Sequence, residues 1–131
     1  MGPVHTLEIL PSVEELNEAV GRAFLARLRT LIDEAGAASR IDLAISGGAI
    51  TTSLLPSLLP FVGEVDWSRV RVWLVDERYV ASGNEDRNDD QAWEGFFRAA
   101  SGVEFVRMPT SDVSAPGAGS LDEATAAFAA T

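Results

Sequence analysis

The sequence predicts an α/β fold with a mostly parallel sheet that is covered by helices on both faces. Short apolar segments alternate with longer segments of helical periodicity along the 131 residues, in the order β, α, β, α, β, α, β. The helical segments are long enough to act as crossovers between parallel strands. A chain of this length fits one domain, so residues 1–131 are expected to share a single core.

The first predicted strand runs from His5 to Leu10 and is followed by a helix with a clear start. Ser12 and Glu15 have the spacing of a capping box, in which each side chain satisfies a free backbone donor. Apolar residues then recur every four positions from Leu16 to Ile32. Gly36 supplies the stop, so the helix is expected to end just before it.

Two further strands are predicted around a second helix. Ile41 to Ile45 is a short apolar run typical of a buried parallel strand. Val70 to Val75 is rich in β-branched and aromatic residues, which favour strands. Thr51 to Leu59 is compatible with a helix that closes at Pro60.

A polar loop from Asp76 to Asn88 leads to the last βα segments. Asp89 to Ala100 has the periodicity of a third helix, and Val103 to Val106 that of a fourth strand. The inward residues of this helix are expected to be aromatic: Trp93, Phe96 and Phe97. Pro109 to Gly119 is predicted to be one long loop.

The C-terminal segment is predicted to be a βα unit that lacks its return strand. Ser120 and Glu123 form a second capping box, so a helix is expected to begin at Leu121. No glycine cap and no return strand follow before Thr131. We therefore expect the sheet to be incomplete at this end, with an open edge through which the chain could self-associate.

Composition narrows the function classes. The chain has 20 acidic and 10 basic residues, a net charge of −10, and every basic residue is Arg. The lack of lysine excludes Schiff-base and P-loop chemistry. The negative charge argues against nucleic acid or an anionic membrane as partner. The lack of cysteine is compatible with a reducing cytoplasm, and no segment approaches the ~18 apolar residues of a membrane helix.

The first candidate binding motif is Ser46-Gly47-Gly48, between a predicted strand and a predicted helix. Glycine lets the backbone approach a ligand, and a helix start offers free N–H groups to an anion such as phosphate. A tight turn that binds nothing explains the same residues. The motif matches neither the dinucleotide-binding fingerprint nor the Walker loop.

The second candidate is Asp76-Glu77-Arg78, directly after the third predicted strand. Ligands of open α/β sheets bind at the carboxyl ends of strands, so both motifs point to one rim. Arg78 could bind phosphate with two donors, while Asp76 or Glu77 could orient Arg78 or a substrate hydroxyl. A surface ion network is the alternative. Asn88 is most simply the N-cap of the third helix, and this role is compatible with ligand contact.

No proton-transfer group can be assembled from the sequence. His5 is the only histidine and is expected to be a bystander, and Ser46 has no histidine to activate it. A metal site would need carboxylates alone, and we expect the acidic residues of the loop to be solvated instead: Asp86, Asp89 and Asp90. The sequence predicts a binding rim with no catalytic residue and no metal site.

Taken together, these motifs resemble the 6-phosphogluconolactonase family. The resemblance covers almost the whole chain and depends on the combination of Ser-Gly-Gly, Asp-Glu-Arg and Arg-Asn. The matching segments are Leu43–Gly48, Val65–Val70, Trp73–Val80, Asn84–Asn88, Val106–Pro109 and Leu121–Ala124. Two departures are Ala49-Ile50-Thr51, where the family usually has Ser or Thr and then Pro after Gly-Gly, and Val80-Ala81, where Val-Pro is common.

The resemblance implies a Rossmann-like fold and hydrolysis of 6-phospho-D-glucono-1,5-lactone in the pentose phosphate pathway, without metal or organic cofactor. It implies that Ser46, Gly47 and Gly48 line the substrate pocket. It also implies that Arg78 helps to bind phosphate, supported by Asp76 and Asn88.

The family's general base is the His of a Gly-x-Gly-x-Asp-Gly-His segment, which is not in this sequence and is expected downstream of Thr131. The chain is thus expected to be the N-terminal part of a lactonase domain, poorly active alone. One alternative is a glucosamine-6-phosphate deaminase, although those enzymes usually have Asp-Glu-Tyr in place of Asp76-Glu77-Arg78. The other is a non-catalytic phosphosugar-binding or interaction module.

Overall fold

Three parallel strands form the sheet of the computed structural model, which describes residues 2–112 and 120–131. The strands are β1 (Ile41–Ile45), β2 (Val70–Leu74) and β3 (Glu104–Phe105), and β2 lies in the middle. β1 pairs with β2 over its whole length, and both pairings are parallel. The parallel sheet with helical connections is therefore confirmed.

The first helix, α1 (Val13–Glu34), begins and ends where its capping residues predict. The Ser12 hydroxyl accepts a hydrogen bond from the Glu15 amide at 3.1 Å, and Gly36 follows the helix with a φ of +75°. Leu25 and Leu28 are buried against the sheet side of the molecule. Near the start of the helix the apolar stripe is not covered within the described residues.

The strand predicted from His5 to Leu10 is wrong. Residues 2–10 contain no strand, and their apolar side chains Val4, Leu7 and Ile9 are more than four-fifths exposed. The alternation of polar and apolar residues satisfies β propensity, but a strand also needs a neighbour for its N–H and C=O groups. Among the described residues, this segment pairs with no strand of the sheet.

The connection after β1 is less regular than the predicted helix. It consists of a π-helical turn (Ile50–Leu54), one turn of α-helix, α2 (Leu55–Ser57), and a 3₁₀ segment (Leu59–Glu64). Pro56 has no N–H to donate, which prevents regular α-helical bonding across this stretch. Pro60 lies inside the 3₁₀ segment and does not close a helix.

The third predicted helix is divided in two. α3 (Asn88–Gly95) stops because the backbone of the next residue, Phe96, leaves the helical region, and a 3₁₀ turn (Phe97–Ala99) follows. β3 is shorter than predicted, although the Val106 amide still donates to the sheet. Another 3₁₀ turn, Trp67–Arg69, leads into β2.

Aromatic side chains fill the core beneath the sheet. Trp67, Phe96 and Phe97 pack edge to face, with ring centroids 5.2–5.9 Å apart. Phe96 and Phe97 are buried as predicted, and Trp93 is partly buried. This cluster anchors α3 and therefore the loop that precedes it.

The last helix, α4 (Leu121–Ala129), begins as its capping box predicts, with the Ser120 hydroxyl accepting from the Glu123 amide at 3.1 Å. Of the loop predicted from Pro109 to Gly119, residues 113–119 lie outside the described residues. None of the helices in the described ranges has the length and apolar character needed to cross a membrane.

Candidate active-site rim

The glycine turn after β1 is shaped by two different requirements. Gly48 has a φ of +69°, a conformation that side chains with a Cβ rarely adopt. Gly47 has an ordinary φ, but a Cβ there would overlap the side-chain amide of Asn88. The first glycine is therefore required by packing and the second by backbone conformation.

Hydrogen bonds within the turn leave its amides available. The Gly48 carbonyl accepts from the amides and the hydroxyls of Thr51 and Thr52, at 2.9–3.1 Å. In the described ranges, the amides of Gly47 and Gly48 donate to no protein acceptor. Ser46 is exposed beside them. The turn is thus held from its carbonyl side, and its donor side is free for an anion.

Asn88 links the two strand ends. Its Oδ1 accepts from Arg78 Nη1 at 3.2 Å, and its Nδ2 lies 3.4 Å from the Asp76 carbonyl oxygen. The same side chain lies against the Gly47 backbone and is buried. Four of the six predicted site residues therefore meet at one point, at the carboxyl ends of β1 and β2.

The prediction that Asn88 is the N-cap of α3 is wrong, because it is the first residue of the helix and Arg87 precedes it without capping. The carboxylate of Glu77 caps the helix instead. Its Oε1 accepts from the Asn88 amide at 2.8 Å, and its Oε2 accepts from the Asp89 amide at 2.9 Å. A cap supplied by a distant residue frees the Asn88 side chain for the rim.

Arg78 is exposed, and only part of its guanidinium has hydrogen-bond acceptors in the described residues. Its Nη1 donates to Asn88 and lies 3.5 Å from the Asp86 carbonyl oxygen. Within the part of the chain that the structure describes, its Nε and Nη2 have no acceptor. These donors can bind a phosphate oxygen without breaking an existing contact.

Arg87 is buried, which the sequence did not predict. Its side chain is 1% exposed, and its donors reach the Asp89 carboxylate and three backbone carbonyls. The carbonyls belong to Arg78, Met108 and Pro109, at 2.7–3.1 Å. With every N–H directed at an acceptor, Arg87 holds the rim together and has no donor left for a ligand.

The prediction that Asp89 is solvated is wrong, because this residue is only 2% exposed. It pairs with Arg87 at 2.8 Å and with Arg107 at 3.3 Å. Arg107 also bonds Asp90 at 2.8 Å, while Asp86 is exposed. The sequence has Arg87 as the single cation of residues 84–90, which indicates an ion pair but not its burial.

Charge pairing outweighs burial at both groups. Burial would raise the pKa of Asp89, but the hydrogen bond and charge of Arg87 hold that pKa below its ordinary value. Burial would lower the pKa of Arg87, but the hydrogen bond and charge of Asp89 raise that pKa above its ordinary value. Both side chains are therefore ionised at neutral pH.

A cavity of about 310 Å³ adjoins the rim, between the end of β2 and α4. Asp76, Arg78 and Tyr79 line one side of it, and Pro109 and Phe128 line the other. A larger cavity of about 540 Å³ lies between α1 and the segment Ser57–Glu64. None of the predicted site residues lines the larger cavity, so it is separate from the rim.

The remaining candidates lie away from the rim. His5 is exposed on the N-terminal segment, which belongs to no element of the described fold. Across residues 2–112 and 120–131, no group of three or more His, Asp or Glu side chains is arranged to hold a metal ion.

Several solved structures share this fold. That of a 6-phosphogluconolactonase from Shewanella baltica superposes with a TM-score of 0.67 and 23% identity, over 91% of this chain and 48% of that one. The structure of a putative 6-phosphogluconolactonase from Neisseria gonorrhoeae has a TM-score of 0.67 and 24% identity, over 79% and 43% of the two chains.

Sequence comparison gives relatives of the same kind. The 6-phosphogluconolactonase of Mycobacterium leprae is 34% identical over 88 residues, which are 66% of this chain and 34% of that protein. The enzyme of the same name from Rhizobium meliloti is 39% identical over 82 residues, which are 63% and 33%. This chain thus spans about a third of the length of the curated relatives that it matches.

The sequence model described as glucosamine-6-phosphate isomerases/6-phosphogluconolactonase matches residues 11–131. The match includes both strand ends, Asn88 and the buried Arg87. By this match, the chain belongs to the glucosamine-6-phosphate isomerase/6-phosphogluconolactonase family.

Proposed function

We propose that this chain supplies the phosphosugar-binding rim of an enzyme that hydrolyses 6-phospho-D-glucono-1,5-lactone to 6-phosphogluconate, a step of the pentose phosphate pathway. The observation that carries the proposal is the contact between Arg78 and Asn88 against the Gly47 backbone. The names of the matched relatives support the choice of reaction. A cytoplasmic location and the absence of a metal or organic cofactor belong to the same proposal.

Arg78 is the group that would bind the phosphate. A chain with a net charge of −10 repels an anionic metabolite, so binding needs a local cation with free donors. Arg78 has two such donors within the described residues, and the amides of Gly47 and Gly48 lie at the neighbouring strand end. Ser46 and Asp76 would contact the sugar part of the substrate.

Hydrolysis of the lactone needs few catalytic groups. A lactone is an activated ester, so a water molecule, one general base and stabilisation of the oxyanion are sufficient. His5 is the only histidine among the 131 residues and lies on the exposed N-terminal segment. We propose that the general base is contributed from outside these residues, and that the chain alone hydrolyses the lactone barely above the spontaneous rate.

Calorimetric titration with the product, 6-phosphogluconate, tests the binding role. We expect saturable binding that Arg78→Met weakens about 10- to 100-fold, because a charged hydrogen-bonding group is lost. Arg98→Met is the matched control, since Arg98 is a 70% exposed arginine that pairs only with Glu94 in the described residues. No binding by the folded chain, or equal losses in the two variants, would contradict the proposal.

Two further measurements separate the reaction classes. Glucosamine 6-phosphate as a second titrant should bind more weakly than 6-phosphogluconate. Tighter binding of the amino sugar would favour a deaminase, which the description of the matched family also names. Lactone hydrolysis by the purified chain at a rate well above the spontaneous one would overturn the proposal that its general base lies elsewhere.

A further inference from the structure

A single carboxylate oxygen joins the two residues that would contact the phosphosugar. Oε1 of Glu77 accepts a hydrogen bond from the Arg78 amide at 2.9 Å and from the Asn88 amide at 2.8 Å. Oε2 accepts from the Asp89 amide at 2.9 Å. Arg78 and Asn88 stand at opposite ends of the loop, and Glu77 is the point at which their backbones are tied.

The Glu77 carboxylate cannot act on a ligand directly. Its side chain is 1% exposed, and its two oxygens are directed at the three backbone amides. It has no hydrogen bond to the Arg78 guanidinium in the described residues. Its influence on Arg78 must therefore pass through the backbone.

Arg87 balances the charge of this buried group. Its guanidinium lies 3.9 Å from Glu77 Oε2, and its Nη1 donates to the Arg78 carbonyl at 2.7 Å. The peptide groups of Arg78 are thus held from the N–H side by Glu77 and from the C=O side by Arg87. Hydrogen bonds on both sides fix the backbone of Arg78 and hence the direction of its Cα–Cβ bond, which lowers part of the cost of ordering this residue on binding.

We propose that Glu77 is a positioning residue that sets the geometry of the Arg78–Asn88 pair for phosphosugar binding, with Arg87 as its charge partner. This inference rests on the proposed function of the rim. Capping of α3 is enough to explain a buried Glu77 without any ligand. The proposal adds a second role, in which Glu77 raises affinity by positioning Arg78 and Asn88.

The first test needs no ligand and compares Glu77→Gln with Glu85→Gln, a control at an exposed glutamate of the same loop. Glu77→Gln is expected to shift the NMR signals of the Arg78 Nε–H and the Asn88 side-chain amide. Glu85→Gln is expected to leave both signals in place. A folded Glu77→Gln chain in which neither signal moves overturns the inference.

The second test is a double-mutant cycle with 6-phosphogluconate. Glu77→Gln should weaken binding on the order of tenfold in the wild-type background, and less than about twofold in the Arg78→Met background. A purely structural role for Glu77 predicts the same loss in both backgrounds, and that result overturns the inference.

These tests separate failure of the inference from failure of the proposed function. If the folded wild-type chain binds no 6-phosphogluconate, the proposed function fails, and the NMR comparison still decides whether Glu77 sets the pair. If circular dichroism finds Glu77→Gln unfolded, Glu77→Asp replaces it, because it keeps the charge and is shorter by one methylene. The same two readouts then apply, and unmoved signals or unchanged affinity overturn the inference.

Discussion

Two arginines of the same loop have opposite environments. Arg78 is exposed, with donors that have no acceptor in the described residues, whereas Arg87 is 1% exposed and uses every donor. They are in contact, because Arg87 donates to the Arg78 carbonyl at 2.7 Å. One arginine faces the solvent and the other holds the backbone that carries it.

The difference shows how an acidic chain can present a cation to an anion. A buried guanidinium with complete hydrogen bonding fixes the loop, and the cost of desolvating it is offset by Asp89 and three carbonyls. The exposed guanidinium remains hydrated and available. Binding and stability are therefore expected to respond to different residues, and the following substitutions test that separation.

The largest effect is expected from Arg87→Met. Removing the cation leaves Asp89 and Glu77 buried with less compensation, which should lower the free energy of unfolding by about 3–5 kcal/mol. Urea denaturation at pH 7 measures this loss. Arg98→Met is the control, with an expected change below about 0.5 kcal/mol because its ion pair is exposed. Similar losses in the two variants would contradict the buried role of Arg87.

A smaller effect, dependent on pH, is expected from Asp89→Asn. The variant should be less stable by about 2 kcal/mol at pH 7, because it loses the charge that faces Arg87. The pKa of Asp89 is lowered in the folded chain, so its contribution is full above the ordinary value of ~3.9 and is lost as pH falls through the lowered pKa. The difference between the wild-type and variant curves should begin to narrow as pH falls below about 4. A difference that stays constant from pH 7 to pH 3 would refute this origin.

Gly47→Ala should affect the role of Arg78 without disturbing that of Arg87. The added Cβ overlaps the Asn88 side chain, which holds Arg78 but has no bond to Arg87. We expect a loss of about 1 kcal/mol in unfolding free energy and a clear loss of affinity for 6-phosphogluconate. Gly63→Ala is the control, since a Cβ there meets nothing within 4 Å. Unchanged affinity in Gly47→Ala would show that Asn88 need not stay in place.

The smallest effect on stability is expected from Arg78→Met. An exposed arginine with one moderate hydrogen bond contributes within about 0.5 kcal/mol, so the urea midpoint should stay near that of the wild type. The same variant should nevertheless bind 6-phosphogluconate about 10- to 100-fold more weakly. A large loss of stability would mean that Arg78, like Arg87, holds the fold together.

Capping residues and apolar runs in the sequence correctly predicted the helices and strands whose formation depends on nearby residues. The capping residues Ser12 and Ser120 begin their helices as expected, and the apolar runs after Arg40 and Arg69 form β1 and β2. The prediction of a strand from His5 to Leu10 was wrong because a strand needs a neighbouring strand to pair with, and β propensity alone does not provide one. The helix predicted after β1 is present only as irregular helical turns, because Pro56 has no backbone N–H to donate.

The structure confirms that both motifs lie at the carboxyl ends of neighbouring strands, but the hydrogen bonds that join them could not be predicted. The two motifs point to the carboxyl ends of strands, and both lie there. The capping of α3 by Glu77 depends on a contact between segments, as does the burial of Arg87 beneath Met108 and Pro109. Sequence spacing carries no information on such contacts, and the many acidic residues of the loop suggested solvent instead.

The close approach of Gly47 to Asn88 also has a kinetic consequence. These residues are far apart in the chain and meet only after β1 has paired with β2 and α3 has docked on its aromatic cluster. Contacts that close long loops form late, since their entropy must be offset by structure already in place. We expect the rim to be among the last parts of the molecule to become ordered during folding, so that a refolding chain gains affinity for 6-phosphogluconate only after its helical signal has recovered.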